Sequence, residues 1–168
     1  SGRSSRTPEW LTALRYEEVE ETVIDAQVGY AGRRYEAPAD EEIDWRFLLV
    51  GQDPICNRRG GLVYSEQDGV WMVMLSGMMA DFPPTDEVGF NAFAQTVNPA
   101  LCAALQKATP ISNIFGYRKT ENRFRHYEKF ECWPDRFVVL GDAVCGFNPI
   151  YGQGMTVSAM AAEALDEG

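Results

Sequence analysis

The chain has 168 residues, 45% of them hydrophobic and 12% aromatic, so it can bury a sizeable core and is too apolar to be disordered. Its formal net charge of −10 argues against nucleic-acid binding, because phosphate contacts need clustered Lys and Arg side chains. No apolar run approaches the roughly 20 residues that span a bilayer, and four dispersed Cys with a single His favour neither a metal site nor a disulfide framework.

The first half of the chain predicts a short helix followed by strands. Residues 10–15 form a short amphipathic segment, and the apolar residues of 21–35 approximate the alternation of one half-buried strand. Residues 45–50 predict another strand. Two further apolar runs, 60–65 and 70–76, flank an Asp68-Gly69 pair, which supplies the positive φ of a tight turn. We therefore predict a β-hairpin at this point.

The middle of the chain predicts two helices and a return to extended structure. Thr85 is the expected N-cap of a helix that runs to residue 97, with acidic residues in its first turn. Asn98 opens a second helix, which Pro110 ends. Residues 111–130 are expected to be extended. The apolar stripe of the second helix is predicted to consist of Leu101, Cys102 and Leu105.

The run from residue 137 to 165 joins a strand, a Gly-Asp stop, a glycine-rich bend and a helix. Residues 137–140 suit a strand buried on both faces, which Gly141-Asp142 would end. Beyond the bend, a helix is expected to begin near Gln153. Its first N–H groups lack intrahelical partners and would face the bend, where an anion or an electron-rich ring edge fits. One apolar face is predicted to contain Val157, Met160, Ala161 and Ala164.

This run resembles the carboxyl-terminal flavin motif of the FAD-dependent aromatic hydroxylases, the para-hydroxybenzoate hydroxylase-like flavoprotein monooxygenases. Their pattern is Gly-Asp-Ala followed by Pro-x-x-Gly-Gln-Gly. The resemblance implies that Asp142 accepts hydrogen bonds from a ribityl or ribose hydroxyl of FAD, and that Tyr151 contributes to the substrate pocket. Cys145 and Thr156 depart from the family's usual His and Asn. The cofactor-binding residues that the resemblance implies are Gly141, Asp142, Pro149, Gly152, Gln153, Gly154 and Met155.

A fainter resemblance lies at the other end of the chain. Residues 2–5, Gly-Arg-Ser-Ser, resemble the core of the family's middle motif, although Pro8 stands where its Arg is expected. No Gly-x-Gly-x-x-Gly loop for the FAD pyrophosphate occurs in the 168 residues. We therefore expect an interior portion of a longer flavoprotein, a truncated domain that is inactive alone and binds FAD weakly or not at all.

The resemblance implies an α+β fold, with a mostly antiparallel substrate-domain sheet, flanking helices, and the last strand and helix of an FAD-binding α/β domain. The expected divisions are 1–18 for the end of the middle motif, 19–132 for the substrate domain and 133–168 for the FAD-binding part. The implied activity of the intact cytoplasmic protein is hydroxylation or epoxidation of a small apolar organic substrate by an FAD-dependent oxidoreductase, with NAD(P)H and O₂.

Other interpretations remain open. The intact protein could be a flavin-dependent reductase of the geranylgeranyl-reductase type, or the chain could be a non-catalytic domain that binds an apolar ligand. Asp142 alone could be a turn residue that satisfies nearby amides. The methionines of 71–79 fit a strand edge or an adaptable substrate lining. No residue is a convincing general base, and His126 fits a surface histidine better than a catalytic one.

Overall fold

The computed structural model describes residues 2–38 and 46–167, which divide into two compact units. The central unit is Ala26–Lys119, and the terminal unit consists of the described residues on either side of it. The helices are α1 (Thr7–Ala13), α2 (Glu87–Val97), α3 (Pro99–Lys107) and α4 (Gln153–Glu167). The strands are β1 (Glu21–Ile24), β2 (Gly29–Glu36), β3 (Phe47–Val50), β4 (Arg59–Ser65), β5 (Val70–Gly77), β6 (Thr109–Pro110), β7 (Phe115–Tyr117), β8 (Asn122–Arg125) and β9 (Cys145–Gly146).

The central unit is an antiparallel sheet whose core lies against two helices. Its strand order is β3-β4-β5-β2-β6, and β7 also pairs with β2. Alternate strand residues such as Val63, Val73 and Leu75 are fully buried and join α2 and α3 in one hydrophobic core. The intervening residues lie on the other face, because successive side chains of a strand point to opposite sides. That face is called the open face below.

The predicted β-hairpin is confirmed. β4 and β5 pair antiparallel with Ser65 opposite Trp71. Asp68 has a φ of 61° and Gly69 a φ of 72°, so both residues adopt the left-handed conformation that tight hairpin turns require. The N–H of Glu66 donates to the carbonyl oxygen of Val70 at 2.7 Å and closes the turn.

The two predicted helices form, but their ends differ from the expectation. The cap of α2 is Asp86, whose carboxylate accepts from the N–H of Gly89 at 2.8 Å, so the assignment of the cap to Thr85 is wrong. Asn98 caps α3, as predicted, through the N–H of Ala100. α3 ends at Lys107, shortly before Pro110, whose ring disfavours helical dihedrals at the residue that precedes it. Leu101 and Leu105 are buried and Cys102 is half-buried.

The strand predicted over 21–35 is instead two strands in different sheets. β1 pairs with β8 in the terminal unit, whereas β2 pairs with β5 in the central unit. Gln27, between them, has a φ of 50°, a conformation that no strand residue adopts. Alternation of apolar residues continues across this break, which is why the sequence pattern did not show it. Trp45, which began the next predicted strand, lies outside the described residues.

The buried strand predicted over 137–140 is wrong. These residues form no ladder with any described strand, and Val138 and Leu140 are 56% and 40% exposed. Leu140 has extended dihedrals, φ −132° and ψ 161°. An apolar run can therefore be extended without being a strand, because a strand needs a hydrogen-bonded neighbour and none of the described segments supplies one.

The terminal unit contains a small antiparallel sheet of order β1-β8-β9 with α1 and α4. Together with the central unit it confirms the predicted α+β class, with antiparallel sheets and helices. Among the described residues, none of the helices combines the length and apolar character that crossing a bilayer requires.

Candidate cofactor-binding site

A concave pocket of about 600 Å³ lies within the terminal unit, where the Gly-Asp turn and the glycine bend meet the start of α4. All the predicted cofactor-binding residues except Gly141 line it. Tyr151, the predicted substrate contact, lies outside the lining and is 61% exposed. The lining residues are Gly2, Asp142, Phe147, Asn148, Pro149, Gly152, Gln153, Gly154, Met155 and Ser158. We call this the glycine-bend pocket.

The Gly-Asp-Ala turn sits directly against α4. Gly141 has a φ of 61°, and a Cβ added there would lie 3.0 Å from the hydroxyl oxygen of Ser158. The turn is closed by a hydrogen bond from the N–H of Val144 to the carbonyl oxygen of Gly141 at 2.9 Å. A Cβ added to Gly154 would lie 3.6 Å from a carboxylate oxygen of Asp142. The positive φ and the tight contact at 141 favour glycine there, whereas 3.6 Å is an ordinary van der Waals contact; the Asp142 carboxylate thus lies beside the first turn of α4.

The bend itself is built by Asn148 and Gly152. Asn148 is 5% exposed, and its side-chain oxygen accepts from the N–H of Ile150 at 3.1 Å, which stabilises the single turn Pro149–Tyr151. Gly152 follows with a φ of 62°, and nothing lies within 4 Å of the Cβ position it lacks. A left-handed glycine thus reverses the chain and leaves open space in front of the helix start.

α4 begins at Gln153, as predicted. Its first three residues, Gln153, Gly154 and Met155, line the pocket. The first N–H groups of a helix have no intrahelical acceptor and carry the positive end of the dipole. The predicted apolar face is only partly correct, because Met160 is 62% exposed and Ala164 is exposed. The half-buried face of α4 is made mostly of small residues, because the Gly141 turn approaches the helix closely. These residues are Gly154, Val157, Ser158 and Ala161.

Two residues that sequence reasoning did not assign to the site support its backbone. Arg125, on β8, is 6% exposed and donates from Nη1 to the carbonyl oxygen of Ala143 at 3.0 Å. Arg3 donates from Nη2 to the carbonyl oxygen of Phe147 at 2.6 Å. The only sequence signal for Arg3 was its place in the faint middle motif. No sequence signal indicated that Arg125 is buried.

Cys145, which stands where many members of the resembled family have His, is half-buried in β9 beside the glycine-bend pocket and is not part of its lining. Burial raises the pKa of its thiol, and the nearby Asp142 carboxylate raises that pKa further. The thiol is therefore protonated near neutral pH, which disfavours a role as a nucleophile because the thiolate is the reactive form.

A second pocket, of about 320 Å³, lies on the open face of the central unit. Gly32 forms its floor, with Met74 directly opposite on β5 and Phe115 directly opposite on β7. Because Gly32 has no side chain, a slot remains between these two walls, about two strand spacings or ~10 Å wide between backbones. Methionine and aromatic side chains dominate the lining: Tyr30, Tyr64, Met72, Met74, Phe115 and Tyr117.

The fold is one that flavin-dependent oxidoreductases share. The chain superposes on the myxobacterial chondrochloren halogenase CndH, a variant of the FAD-dependent halogenases, with a TM-score of 0.63 over 95% of this chain and 35% of that one, at 13% identity. It also superposes on the anhydrotetracycline hydroxylase OxyS from Streptomyces rimosus, with a TM-score of 0.55 over 94% of this chain and 28% of that one, at 14% identity.

One curated relative is more similar in sequence. The chain is 33% identical over 166 residues to Protein Rv3254 of Mycobacterium tuberculosis (strain ATCC 25618 / H37Rv). The match covers 98% of this chain and 35% of that protein, so the chain spans about a third of the relative's length. No protein-family model matches the chain.

Proposed function

We propose that this chain supplies the flavin-ring side of the cofactor site and the substrate sheet of an FAD-dependent monooxygenase. The observation that carries the proposal is the convergence of the Asp142 carboxylate, the left-handed Gly152 and the start of α4 on one pocket. The fold shared with flavin-dependent enzymes supports it. The motif spacing supports the aromatic-hydroxylase type among them.

The residues of the glycine-bend pocket fit a flavin chemically. The Asp142 carboxylate can accept hydrogen bonds from ribityl or ribose hydroxyls. Open space beside Gly152 admits a flat ring close to the backbone. The N–H groups at the start of α4 would stabilise negative charge on the ring edge that they face.

When bound, FAD would supply the redox chemistry with O₂, and NAD(P)H would supply the electrons. The tasks left to this chain are binding, orientation and exclusion of water. Among the described residues that line the glycine-bend pocket, Asp142 is the one titratable side chain. We therefore assign it a binding role and assign no general base.

The open-face slot is the proposed contact surface for a small apolar organic substrate. Two arginines also line the slot, and each is paired with a carboxylate: Arg33 lies 3.4 Å from Glu87 and Arg34 lies 3.2 Å from Glu66. These pairs leave the slot with little net charge. Its walls are thioether and aromatic groups, which pack well against irregular apolar ligands. An uncharged apolar molecule matches this lining better than an anion does.

Titration of the chain with riboflavin and FAD, followed by flavin fluorescence, tests the cofactor proposal. We expect weak but measurable binding, and about tenfold or more loss of affinity in Asp142→Ala, because a hydrogen bond to a charged group contributes roughly 1.5–3 kcal/mol. Asp135→Ala is the matched control, since Asp135 is an exposed acidic residue of the same unit that lies outside the pocket.

Equal affinities of the two variants, or no flavin binding by the unsubstituted chain, would contradict the cofactor proposal. For the intact protein, oxygen uptake coupled to NAD(P)H oxidation separates a monooxygenase from a reductase that transfers hydride to an alkene. Uptake that depends on an added halide would indicate halogenation instead.

A further inference from the structure

Two arginines fix the backbone that forms one wall of the glycine-bend pocket. Arg125 binds the carbonyl oxygen of Ala143, and Arg3 binds that of Phe147. These carbonyls mark the two ends of the segment that leads from the Gly-Asp turn to the bend. We call residues 143–147, which contain the short strand β9, the pinned loop, since a guanidinium holds each of its ends.

The two arginines are also connected with each other, and each pairs with one of two acidic residues, Glu21 and Glu121, which we call the acidic layer. Arg125 donates from Nη2 to the carbonyl oxygen of Arg3 at 3.4 Å and from Nε to the Glu21 carboxylate at 2.8 Å. Arg3 also donates to the backbone of Glu121 at 2.5 Å and lies 3.5 Å from its carboxylate. A guanidinium can do this because its five donors lie in one rigid fork.

Glycine at 146 allows the close approach of Arg3 to the pinned loop. A Cβ added to Gly146 would lie 3.2 Å from Cζ of Arg3 and 3.3 Å from its Nη2. The guanidinium therefore lies over the loop backbone at a distance that leaves little room for a side chain. This glycine is outside the flavin motif, and its contact with Arg3 gives it a role.

Each pinned group is covalently next to a residue of the pocket lining. Asp142 precedes Ala143, Gly2 precedes Arg3, and Phe147 itself lines the pocket. Movement of the pinned loop would therefore displace the Asp142 carboxylate and the wall opposite α4 together. We propose that Arg3 and Arg125 are positioning residues that keep this wall pre-formed for the flavin, without touching it. The identity of the ligand rests on the proposed function.

Pre-formation raises affinity because the loop is ordered before the ligand arrives and its ordering entropy is not lost on binding. The proposal therefore makes two separable statements. Loss of either arginine loosens the pinned loop in the absence of any ligand, and the same loss weakens flavin binding.

Arg123 supplies a matched control on the same strand. Its guanidinium pairs with the carboxylates of Glu21 and Glu121, the acidic partners of Arg125 and Arg3. Among the described residues, its side chain makes no hydrogen bond to a carbonyl of the pinned loop. Arg123→Met therefore removes the same charge from the same acidic layer and leaves in place the hydrogen bonds of Arg3 and Arg125 to the pinned loop.

Hydrogen–deuterium exchange of a peptide spanning 142–149, without ligand, tests the first statement. We expect exchange about tenfold faster in Arg3→Met and Arg125→Met, and within about twofold of the unsubstituted chain in Arg123→Met. Arg125→Lys keeps the charge but not the planar fork, so it should exchange like Arg125→Met. Equal exchange in Arg123→Met and the two pin variants would overturn the proposal, as would full protection in Arg125→Lys.

Flavin titration of the same variants tests the second statement. We expect the dissociation constant to rise about tenfold in Arg3→Met and Arg125→Met and to stay within about twofold in Arg123→Met. If the unsubstituted chain binds no flavin, the proposed function fails and the exchange data alone decide on the pins. If Arg125→Met does not fold, Arg3→Met and Arg3→Lys carry both measurements. A loosened loop with unchanged affinity would overturn the positioning role.

Discussion

Arg59 and Asp81 form a two-pronged ion pair in the central unit. Nε and Nη2 of Arg59 lie 2.6 and 2.8 Å from the two carboxylate oxygens of Asp81. The same guanidinium lies 4.2 Å from the ring centroid of Phe93 and donates to the hydroxyl of Thr96. The hydrogen bonds from Arg59 lower the pKa of Asp81 below its ordinary value. The pair thus connects the start of β4 with α2 and with the segment that follows β5.

We expect Asp81→Asn to lower the free energy of unfolding by about 1 kcal/mol at pH 7, a modest amount because both side chains are about one-third exposed. A carboxylate whose pKa is depressed in the folded state stabilises above its unfolded pKa, about 4, and loses that contribution as pH falls through the folded pKa. Urea unfolding at pH 7, 5 and 3 should show an unchanged difference between pH 7 and 5 and a smaller one at pH 3.

Asp68→Asn is the control for this measurement. Asp68 is exposed in the hairpin turn, and Asn tolerates its left-handed conformation. Its stability difference should stay near zero at all three pH values. A difference for Asp81→Asn that persists undiminished at pH 3 would show that the substitution acts through packing and not through the charge.

The residues that sequence could locate in the candidate site are those whose chemistry is local. The positive φ of Gly152 and the turn at Gly141 follow from short-range patterns, and the structure brings both to α4. Arg3 could not be found this way, because the carbonyl that it binds is 144 residues away along the chain. The roles of the glycine-bend residues as cofactor contacts stay predictions until flavin binding is measured.

Secondary-structure elements also divide into those that neighbouring residues determine and those that need a partner far away in the chain. The β4–β5 hairpin and the caps of α2 and α3 depend on neighbouring residues, and the sequence located all three within one or two positions. The strand expected over 137–140 depends on a partner strand, which no local pattern can supply. The prediction of one strand over 21–35 was wrong for a related reason, because alternation does not reveal to which sheet each part belongs.

The α2 cap gives a direct test of the corrected helix start. Asp86→Ala should destabilise the protein by about 1 kcal/mol, because the N–H of Gly89 loses its acceptor, whereas Thr85→Ala should change stability little. Chemical denaturation of both variants at pH 7 provides the measurement. A larger loss of unfolding free energy for Thr85→Ala than for Asp86→Ala would show that Thr85 is the cap, as the sequence predicted.

On the scale of the whole chain, the α+β class was predictable because the family resemblance implied it, and the hairpin and helix signals agree with that class. The divisions at 1–18, 19–132 and 133–168 stay predictions. Ala26–Lys119 forms one compact unit, and the described residues on either side of it form the other. Segments from both ends of the chain therefore build one unit, an arrangement that composition and periodicity do not encode because it rests on the long-range pairing of β1 with β8.

The two units differ in how much apolar surface they bury, and this predicts unequal stability. The central unit has one continuous core, in which Phe90 and Leu101 are fully buried. In the terminal unit, α4 has no fully buried residue in its described part, and buried hydrophobic side chains such as Leu11 are few. Burial of apolar surface contributes about 25 cal/mol per Å², so the central unit should open less readily.

Native-state hydrogen exchange in mild urea should therefore show the slowest amides in β2, β4 and β5, with α4 and β8 exchanging through openings of lower free energy. Phe90→Ala should cost the central unit about 3–5 kcal/mol and move its amides toward the rates of the terminal unit. Leu165→Ala, at a position that is 53% exposed on α4, is the control and should leave the central amides unchanged. Uniform protection across both units in the unsubstituted chain would show that the large core stabilises the whole described chain as one cooperative structure, and the expected order of opening would then be wrong.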